Sequence, residues 1–148
     1  MTGLISPDIF IQGAIPVDFI TTVMLRHSRD THIGAYNIFL GQIRGDEARG
    51  SRVKAIEYTA HAELAREQFR KIQASLMENY ALTSMDVYHS LGTVNTGDIC
   101  FFVLVTSGHR QEAFKACNEA VDRIKAEMPI WGKLILEDDS VQWKENIS

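Results

Sequence analysis

The sequence predicts an α+β fold with a mostly antiparallel sheet and two main helices, because strand and helix patterns alternate along it without a linker. Two segments, 62–80 and 111–127, have apolar residues at helical spacing and are long enough to be the main helices. A nearly continuous apolar run at 99–106 is typical of a central strand that is covered on both faces. Since 148 residues is the size of one domain, we expect residues 1–148 to form a single domain.

The first half of the chain predicts three strands and two helices. The strands are predicted at 8–12, 33–43 and 53–59. The first helix is predicted at 16–26, where Pro16 suits the first turn. Its apolar residues at helical spacing are Val17, Ile20, Val23 and Met24. The segment 45–51 is charged and bounded by glycine, which predicts a loop. The helix at 62–80 carries one apolar stripe of Leu64, Ala65, Phe69, Ile72, Leu76 and Met77.

The second half predicts two strands, a helix and a hairpin. The strands at 85–91 and 99–106 are joined by a turn at 94–97. The helix at 111–127 is ended by Pro129. Its apolar stripe consists of Ala113, Phe114, Cys117, Ala120, Val121 and Ile124. The segments 130–136 and 141–144 predict a final hairpin around residues 138–140.

Composition disfavours several classes of protein. The chain has 15 Lys and Arg against 19 Asp and Glu, a net charge of −4, whereas a nucleic-acid binder normally has a basic face. Cys100 and Cys117 form no CxxC pair, which indicates buried, reduced thiols rather than a disulfide framework or a zinc site. Residues 1–8 contain no basic and apolar leader, and no window approaches a membrane span. We therefore expect a cytoplasmic protein without a bound metal or cofactor.

The segment Ser107-Gly-His-Arg110 lies where a predicted buried strand is followed by a helix. The first N–H groups of a helix are unpaired and favour an anion, and Arg110 adds a guanidinium that suits phosphate or carboxylate oxygens. The segment therefore predicts an anion site formed with His109. The alternative is that Ser107 or His109 only caps the helix and that Arg110 is solvated.

Three further cations are candidates for the same site. Lys125 adjoins the apolar stripe one turn before its helix ends, where a lysine can take part in proton transfer or only complement the helix dipole. Arg44 follows a strand and can reach the same pocket or face water. Lys133 lies close to Trp131, and the alternative to a site role is that Trp131 belongs to the core and Lys133 is solvated. His61 and His89 have no second ligand at metal spacing, so we interpret them as structural.

Short motifs follow one another along nearly the whole chain. They are GAYNIFLGQIR at 34–44, IEY at 56–58, HSLG at 89–92, GD at 97–98, TSGHR at 106–110, AF at 113–114, DRIK at 122–125, PIW at 129–131 and Trp143. Each motif alone is weak, but their order and spacing together resemble the family of the large, catalytic subunit of molybdopterin synthase.

This resemblance implies a fold, partners and a reaction. Members of the family are α/β-hammerhead domains that form a central homodimer, and a small ubiquitin-like sulfur carrier docks at each end to give a heterotetramer. The Gly-Gly C-terminus of the carrier enters a pocket as a thiocarboxylate. It transfers sulfur to cyclic pyranopterin monophosphate, which makes the protein a sulfurtransferase that builds the dithiolene of molybdopterin. Molybdenum itself is inserted by other proteins.

The resemblance also implies roles for individual residues. Arg44, His109 and Arg110 would hold the substrate phosphate or the incoming carboxylate. Lys125 matches the principal catalytic lysine and would act as a general acid and base. Phe39 matches a pocket aromatic that would shape the tunnel for the pterin or the carrier tail.

The chain departs from the family pattern after the second main helix. The family often has Trp-Lys-Lys-Glu where this chain has Trp131-Gly-Lys-Leu134, and the first of those lysines is implicated in catalysis. Lys133 is the catalytic candidate that would replace it, but successive strand residues point to opposite faces, so this needs a bulge or a local twist. Ser90 also stands where a basic residue commonly follows the histidine. A carrier-binding pseudoenzyme and an anion-sensing regulatory module are the alternative functions.

Overall fold

The computed structural model describes residues 8–144. The expectation about a leader concerns residues that mostly lie outside this range. The described chain contains three helices, α1 (Val17–Arg26), α2 (Ala62–Asn79) and α3 (Arg110–Glu127). Its eight strands are β1 (Phe10–Gln12), β2 (Ala35–Gln42), β3 (Glu47–Ala48), β4 (Ser51–Ala60), β5 (Leu82–Asn95), β6 (Ile99–Ser107), β7 (Ile130–Leu136) and β8 (Val141–Trp143).

The strands form a sheet in the order β2-β6-β5-β4-β7-β8, in which all neighbours are antiparallel. Two short strands lie off this path, since β1 pairs with β5 in parallel and β3 pairs with β4. The predicted α+β class and the mostly antiparallel sheet are therefore confirmed. The long strand β5 serves both halves of the sheet, because it pairs with β6 and with β4.

Strand β6 lies in the centre of the core. Its residues from Cys100 to Ser107 are buried, as the apolar run predicted. On one face, β6 contributes Phe102 and Leu104 to a cluster with Ile20 and Val23 of α1. On the other face, Phe101, Val103 and Val105 pack against α2 and α3. The helices on the two faces explain why this strand has no polar alternation.

The two main helices bury narrower stripes than the sequence indicated. Helix α2 buries Ala65, Phe69, Ile72 and Leu76, whereas Leu64 and Met77 at the edges of the predicted stripe are exposed. Helix α3 buries Ala113, Ala116, Cys117, Ala120 and Ile124, and Phe114 is exposed. Small alanine side chains let α3 approach the sheet closely, so that an aromatic ring one position away stays outside the contact.

Two loops contain more strand than the sequence predicted. The expected loop at 45–51 includes β3, which forms a tight hairpin with β4 through Arg49 (φ 54°) and Gly50 (φ 78°). Strand β5 continues through Val94 and Asn95, which were expected to lie in a turn. The chain reverses instead around Gly97, whose φ of 93° suits glycine.

Strand β2 is an edge strand with one apolar face open. Its Tyr36, Ile38 and Leu40 are exposed on the same face, while α3 packs on the other. The start of β2 lies beside the start of α3, because Ala35 pairs with Ser107. A side chain at Gly34 would overlap the carbonyl oxygen of Gly108, so glycine is required where these two segments meet.

Candidate active site

A cavity of about 450 Å³ opens at the C-terminal end of α3, between that helix and one end of the sheet. Every strand of the main sheet path contributes side chains to it, and Lys125 reaches it from α3. The wall includes Phe39, Arg44, Tyr58, His89, Cys100, Phe101, Lys125, Gly132, Leu134, Gln142 and Lys144. The cavity has the size and mixed polar and apolar character of a small-molecule site.

Lys125 is held against an aromatic wall. Its Nζ lies 5.9 Å from the centroid of the Phe39 ring, a cation–π distance. The Phe39 ring in turn meets the Phe101 ring edge to face, with centroids 5.5 Å apart. The two rings restrict the positions open to the Lys125 side chain, so its ammonium is placed at the cavity wall.

Two more cations line the same cavity. Arg44 lies at the rim, and its Nη2 is 3.2 Å from Oδ2 of Asp46 in an exposed ion pair. Lys144 is partly exposed, but partial burial of its ammonium and the charges of Lys125 and Arg44 lower its pKa, while Cys100 acts in the opposite direction. Lysine and arginine charges gathered in one cavity of a net acidic chain favour an anionic ligand.

The inner wall of the cavity contains three groups that stay neutral near pH 7. Burial lowers the pKa of His89 to about 4, and the charges of Lys144 and Lys125 act in the same direction. The Tyr58 hydroxyl donates to Sγ of Cys100 over 3.7 Å. Burial raises the pKa of both the Tyr58 phenol and the Cys100 thiol. The inner wall is therefore uncharged near pH 7, and the acidic residues of the lining are Asp46 and Glu47.

One polar atom of the cavity has an unused hydrogen-bonding capacity. Oε1 of Gln142 is buried and has no hydrogen-bond partner within residues 8–144. Buried amide oxygens are normally paired, so an unpaired one in a cavity wall is suited to accept an N–H from a ligand. Gln142 thus adds a neutral acceptor to the cavity wall.

The structure does not bring Lys133 to this cavity. The pairing of β7 with β4 runs without a bulge from Ala55 to Ala60, so Gly132 faces the cavity and Lys133 faces away. Nζ of Lys133 lies 3.2 Å from Oε1 of Glu57 and 5.8 Å from the centroid of the Trp143 ring. The bulge that would turn Lys133 inward is absent from this stretch.

His109 and Arg110 also lie outside the cavity of their own chain. His109 is the N-cap of α3 and its side chain makes no capping bond, whereas Ser107 Oγ accepts from the His109 N–H over 3.2 Å. Arg110 and Lys125 stand 15 residues apart on one helix, which is about 22 Å at the usual rise. The predicted cations therefore form two groups at opposite ends of α3.

The sequence interpretation missed several cavity residues. His89 was interpreted as structural, and Tyr58, Cys100, Gln142 and Lys144 were not considered as site residues. The sequence did contain a signal for Gln142 and Lys144. A hairpin centred on Asp138 pairs position 132 with 144 and position 134 with 142, so these two residues share a face with Gly132 and Leu134. His61 is structural as expected, since its Nδ1 accepts from the Leu64 N–H at the start of α2.

Cys100 and Cys117 are both free and buried, as predicted. Within residues 8–144, no group of three or more His, Cys, Asp or Glu side chains is arranged to hold a metal ion. None of the helices α1 to α3 is long and apolar enough to span a membrane.

Comparison with known proteins gives consistent matches. A family model described as MoaE protein matches residues 16–127. A molybdopterin synthase catalytic subunit of Oryza sativa subsp. indica is 38% identical over 120 residues, which are 81% of this chain and 61% of the relative. The subunit of that name from Homo sapiens is 34% identical over 113 residues, 76% of this chain and 59% of the relative. The chain thus spans about three fifths of the length of these curated relatives.

Solved structures show the same fold. The crystal structure of molybdopterin synthase from Staphylococcus aureus has a TM-score of 0.81 and 26% sequence identity, over 95% of this chain and 98% of the other. A complex of subunits 1 and 2 of molybdopterin-converting factor from Helicobacter pylori 26695 contains a chain with a TM-score of 0.79. That chain is 19% identical, over 94% of this chain and 90% of its own length, and shows the fold alone.

Proposed function

Because the chain belongs to the MoaE protein family, we propose that it is the large, catalytic subunit of a molybdopterin synthase. In this proposal it transfers sulfur from the C-terminal thiocarboxylate of a small ubiquitin-like carrier to cyclic pyranopterin monophosphate. The observation that carries the proposal is the Lys125 ammonium, which is held 5.9 Å above the Phe39 ring in a cationic cavity. The carrier and the substrate are both anionic, so the cavity has the right charge for both.

Lys125 has the position needed for proton transfer. When the thiocarboxylate sulfur adds to a carbon of the pterin, negative charge develops on the substrate and a proton must be supplied. An ammonium placed at the cavity wall can stabilise that charge and donate the proton. Water then hydrolyses the bond between the sulfur and the acyl carbon of the carrier, which releases the carrier as a carboxylate, leaves the sulfur on the pterin and returns a proton to Lys125. Phe39 and Phe101 keep the Lys125 stem in place and provide an apolar surface for a flat ring.

The remaining cavity groups are suited to binding. Arg44 at the rim offers a guanidinium fork to the phosphate or the carrier carboxylate, at the cost of its exposed pairing with Asp46. The unpaired Oε1 of Gln142 can accept an N–H of the pterin. Cys100 is a protonated thiol, because burial raises its pKa, so we assign it no part in sulfur transfer.

His109 and Arg110 can serve the same substrate only through a second copy of the chain. Within residues 8–144, no strand pairs with the outer edge of β2. This strand also has an exposed apolar face, and it runs about 26 Å from the start of α3 to the cavity. Two β2 strands that pair antiparallel about a two-fold axis would place Arg110 of one copy beside Arg44 and Lys125 of the other. We therefore propose a homodimer with composite sites, carrying one sulfur carrier at each end as a heterotetramer.

Other features of the proposal follow from the fold. All described strands belong to one connected set of pairings, which supports a single domain. Two free, buried thiols suit a reducing compartment, which supports a cytoplasmic location. A catalytic role for Lys133 requires its side chain to leave Glu57 and turn to the opposite face of β7. No observation favours the pseudoenzyme or the anion-sensing module over the synthase.

A single-turnover assay tests this function. Purified chain, thiocarboxylated carrier and cyclic pyranopterin monophosphate are mixed, and the dithiolene product is followed. We expect product with the natural chain and a loss of about 100-fold or more in rate with Lys125→Ala, the usual size of a lost general acid. Lys71→Ala on the exposed side of α2 is the matched control.

Carrier affinity is measured on the same variants by calorimetry. Lys125→Ala should bind the carrier nearly as well as the natural chain, because a single side chain of the cavity is lost. Tight carrier binding without any product from the natural chain would contradict the synthase and leave a carrier-binding pseudoenzyme.

A further inference from the structure

Positions 132 and 134 are where the chain departs from the family pattern inside the cavity, and the departure at position 132 removes an amine. The backbone of Gly132 lies against the wall, and a Cβ built there would stand 3.1 Å from Cγ2 of Ile56 and 3.1 Å from Cε1 of Tyr58. These distances are tighter than ordinary van der Waals contact. A side chain at this position would need Ile56 and Tyr58 to move by a few tenths of an ångström, and glycine leaves this space to a neighbouring side chain.

The side chain of Lys144 passes over this space. Lys133 pairs with Trp143 in the β7–β8 hairpin, so Gly132 and Lys144 are cross-strand neighbours on the face that lines the cavity. The Lys144 N–H donates to the Gly132 carbonyl oxygen over 2.8 Å, which fixes the two backbones. Cδ of Lys144 lies 3.5 Å from the position that a Cβ on residue 132 would take.

The Lys144 side chain lines the same cavity as Lys125 and His89. Burial and the charge of Lys125 lower the pKa of Lys144, and the charge of Lys144 in turn contributes to the lowered pKa of His89. Lys144 is thus close enough to act on groups from α3 and from β5. Lys133, in contrast, is neutralised by Glu57 on the opposite face.

We propose that Lys144 supplies the second substrate-facing ammonium of the cavity and that Gly132 provides the space through which its side chain enters. This inference rests on the function proposed above and names a further residue of the same site. Two ammonium groups, from Lys125 and Lys144, suit two single negative charges, one on the cyclic phosphate diester of the proposed substrate and one on the carboxylate end of the carrier. The amine that is absent at position 132 of β7 is then provided by Lys144, which follows the paired strand β8. It is not provided by Lys133, the next residue along β7.

The first test compares alanine variants in the single-turnover assay. Lys144→Ala should slow product formation by about 100-fold, in the range of a lost proton donor or charged contact. Lys71→Ala is again the control, and Lys144→Arg separates charge from proton transfer. A natural rate with Lys144→Ala, or a loss that follows Lys133→Ala instead, would overturn the inference.

A relocated amine gives a sharper test. Lys144→Ala removes the stem that occupies the space beside Gly132, so Lys144→Ala combined with Gly132→Lys should recover at least about tenfold of the lost rate. A purely structural role of Lys144 would not be rescued in this way. Gly132→Ala with Lys144→Ala is the matched variant without an amine, and equal rates of the two double variants, with folding confirmed by circular dichroism, would contradict the proposal.

A binding experiment separates this inference from the proposed function. The lysines are reductively methylated with ¹³C-formaldehyde, and the signal of Lys144 is assigned by its absence in Lys144→Arg. Inorganic phosphate should shift this signal in a saturable way, even if the natural chain formed no product. A Lys144 signal that phosphate does not move, while the signal of Lys125 does move, would overturn the inference and leave the synthase function intact.

Discussion

The stability of this protein should fall in mild acid because of His89. An unfolded histidine has a pKa of about 6.5, and burial in the cavity wall lowers the pKa of His89 to about 4. Between these two values the unfolded chain binds a proton that the folded chain does not bind. The contribution of His89 is therefore complete above pH 6.5 and is lost as the pH falls towards 4.

The size of the effect follows from the two pKa values. A difference of about 2.5 units at 1.36 kcal/mol each gives about 3 kcal/mol in the free energy of unfolding. This is an upper value, since the cavity opens to water. The ring contacts Tyr58 and Phe101 at centroid distances of 4.8 and 5.3 Å, and its Nδ1 lies 2.8 Å from the Ser90 carbonyl oxygen. No carboxylate in this set would stabilise the protonated ring.

Urea unfolding at a series of pH values from 7.5 to 4 measures the effect. The natural chain should lose up to about 3 kcal/mol more than His89→Gln over this range, because the variant has no ring to protonate. His32→Ala removes an exposed histidine and is the control. Protonation of carboxylates with lowered pKa values, such as Asp8, also reduces stability in acid. This contribution is the same in every variant, so it cancels when the variants are compared. Equal losses in the natural chain and in His89→Gln would refute the reasoning.

Three further predictions concern the cavity wall, the outer strand β2 and the composite site. Phe39→Leu removes the ring beneath the Lys125 ammonium and should lower the single-turnover rate by about tenfold. The loss combines a cation–π energy of about 1 kcal/mol with the lost positioning of Lys125. The affinity for the carrier, measured by calorimetry, should stay unchanged and is the control. Ile38→Glu places a charge on the exposed face of β2 and should convert the dimer to monomers in sedimentation velocity, whereas Leu25→Glu on α1 should not. If the sites are composite, a mixture of Lys125→Ala and Arg110→Ala chains should recover part of the activity, and inactive mixed dimers would contradict the shared site.

Much of the fold could be predicted because its determinants are local in the sequence. The apolar run of β6 and the helical spacing in α2 and α3 reflect burial directly. The hairpin of β3 and β4 was missed since its only signal is Arg49-Gly50, a turn whose neighbours are charged. The exposed Phe114 shows the opposite error, because apolar character alone does not tell which edge of a stripe meets the sheet.

The candidate site was less accessible to sequence reasoning, since it depends on distances between elements. The motifs named Phe39, Arg44 and Lys125, which the structure brings into one cavity, and their roles stay predictions. His109 and Arg110 came from the same reasoning, yet a straight helix of 18 residues keeps them away from Lys125 in one chain. The geometry of α3 and the outer position of β2 in the described sheet support the proposal that a second copy supplies Arg110.

Gly132 shows why a lost side chain on a strand is replaced across the sheet. Residue 133 follows 132 along the chain, but its side chain points to the other face, and no bulge in this part of β7 reverses it. Position 144 is remote in sequence but faces position 132 in the hairpin, where the side chains of paired residues share one face. An ammonium carried by residue 144 therefore enters the cavity without any change in strand register. The same pairing places Gln142 beside Leu134, so β8 contributes both an amine and an amide oxygen to the wall. A lysine on the edge strand thus adds a positive charge to the site while the backbone of β7 stays packed against Ile56 and Tyr58.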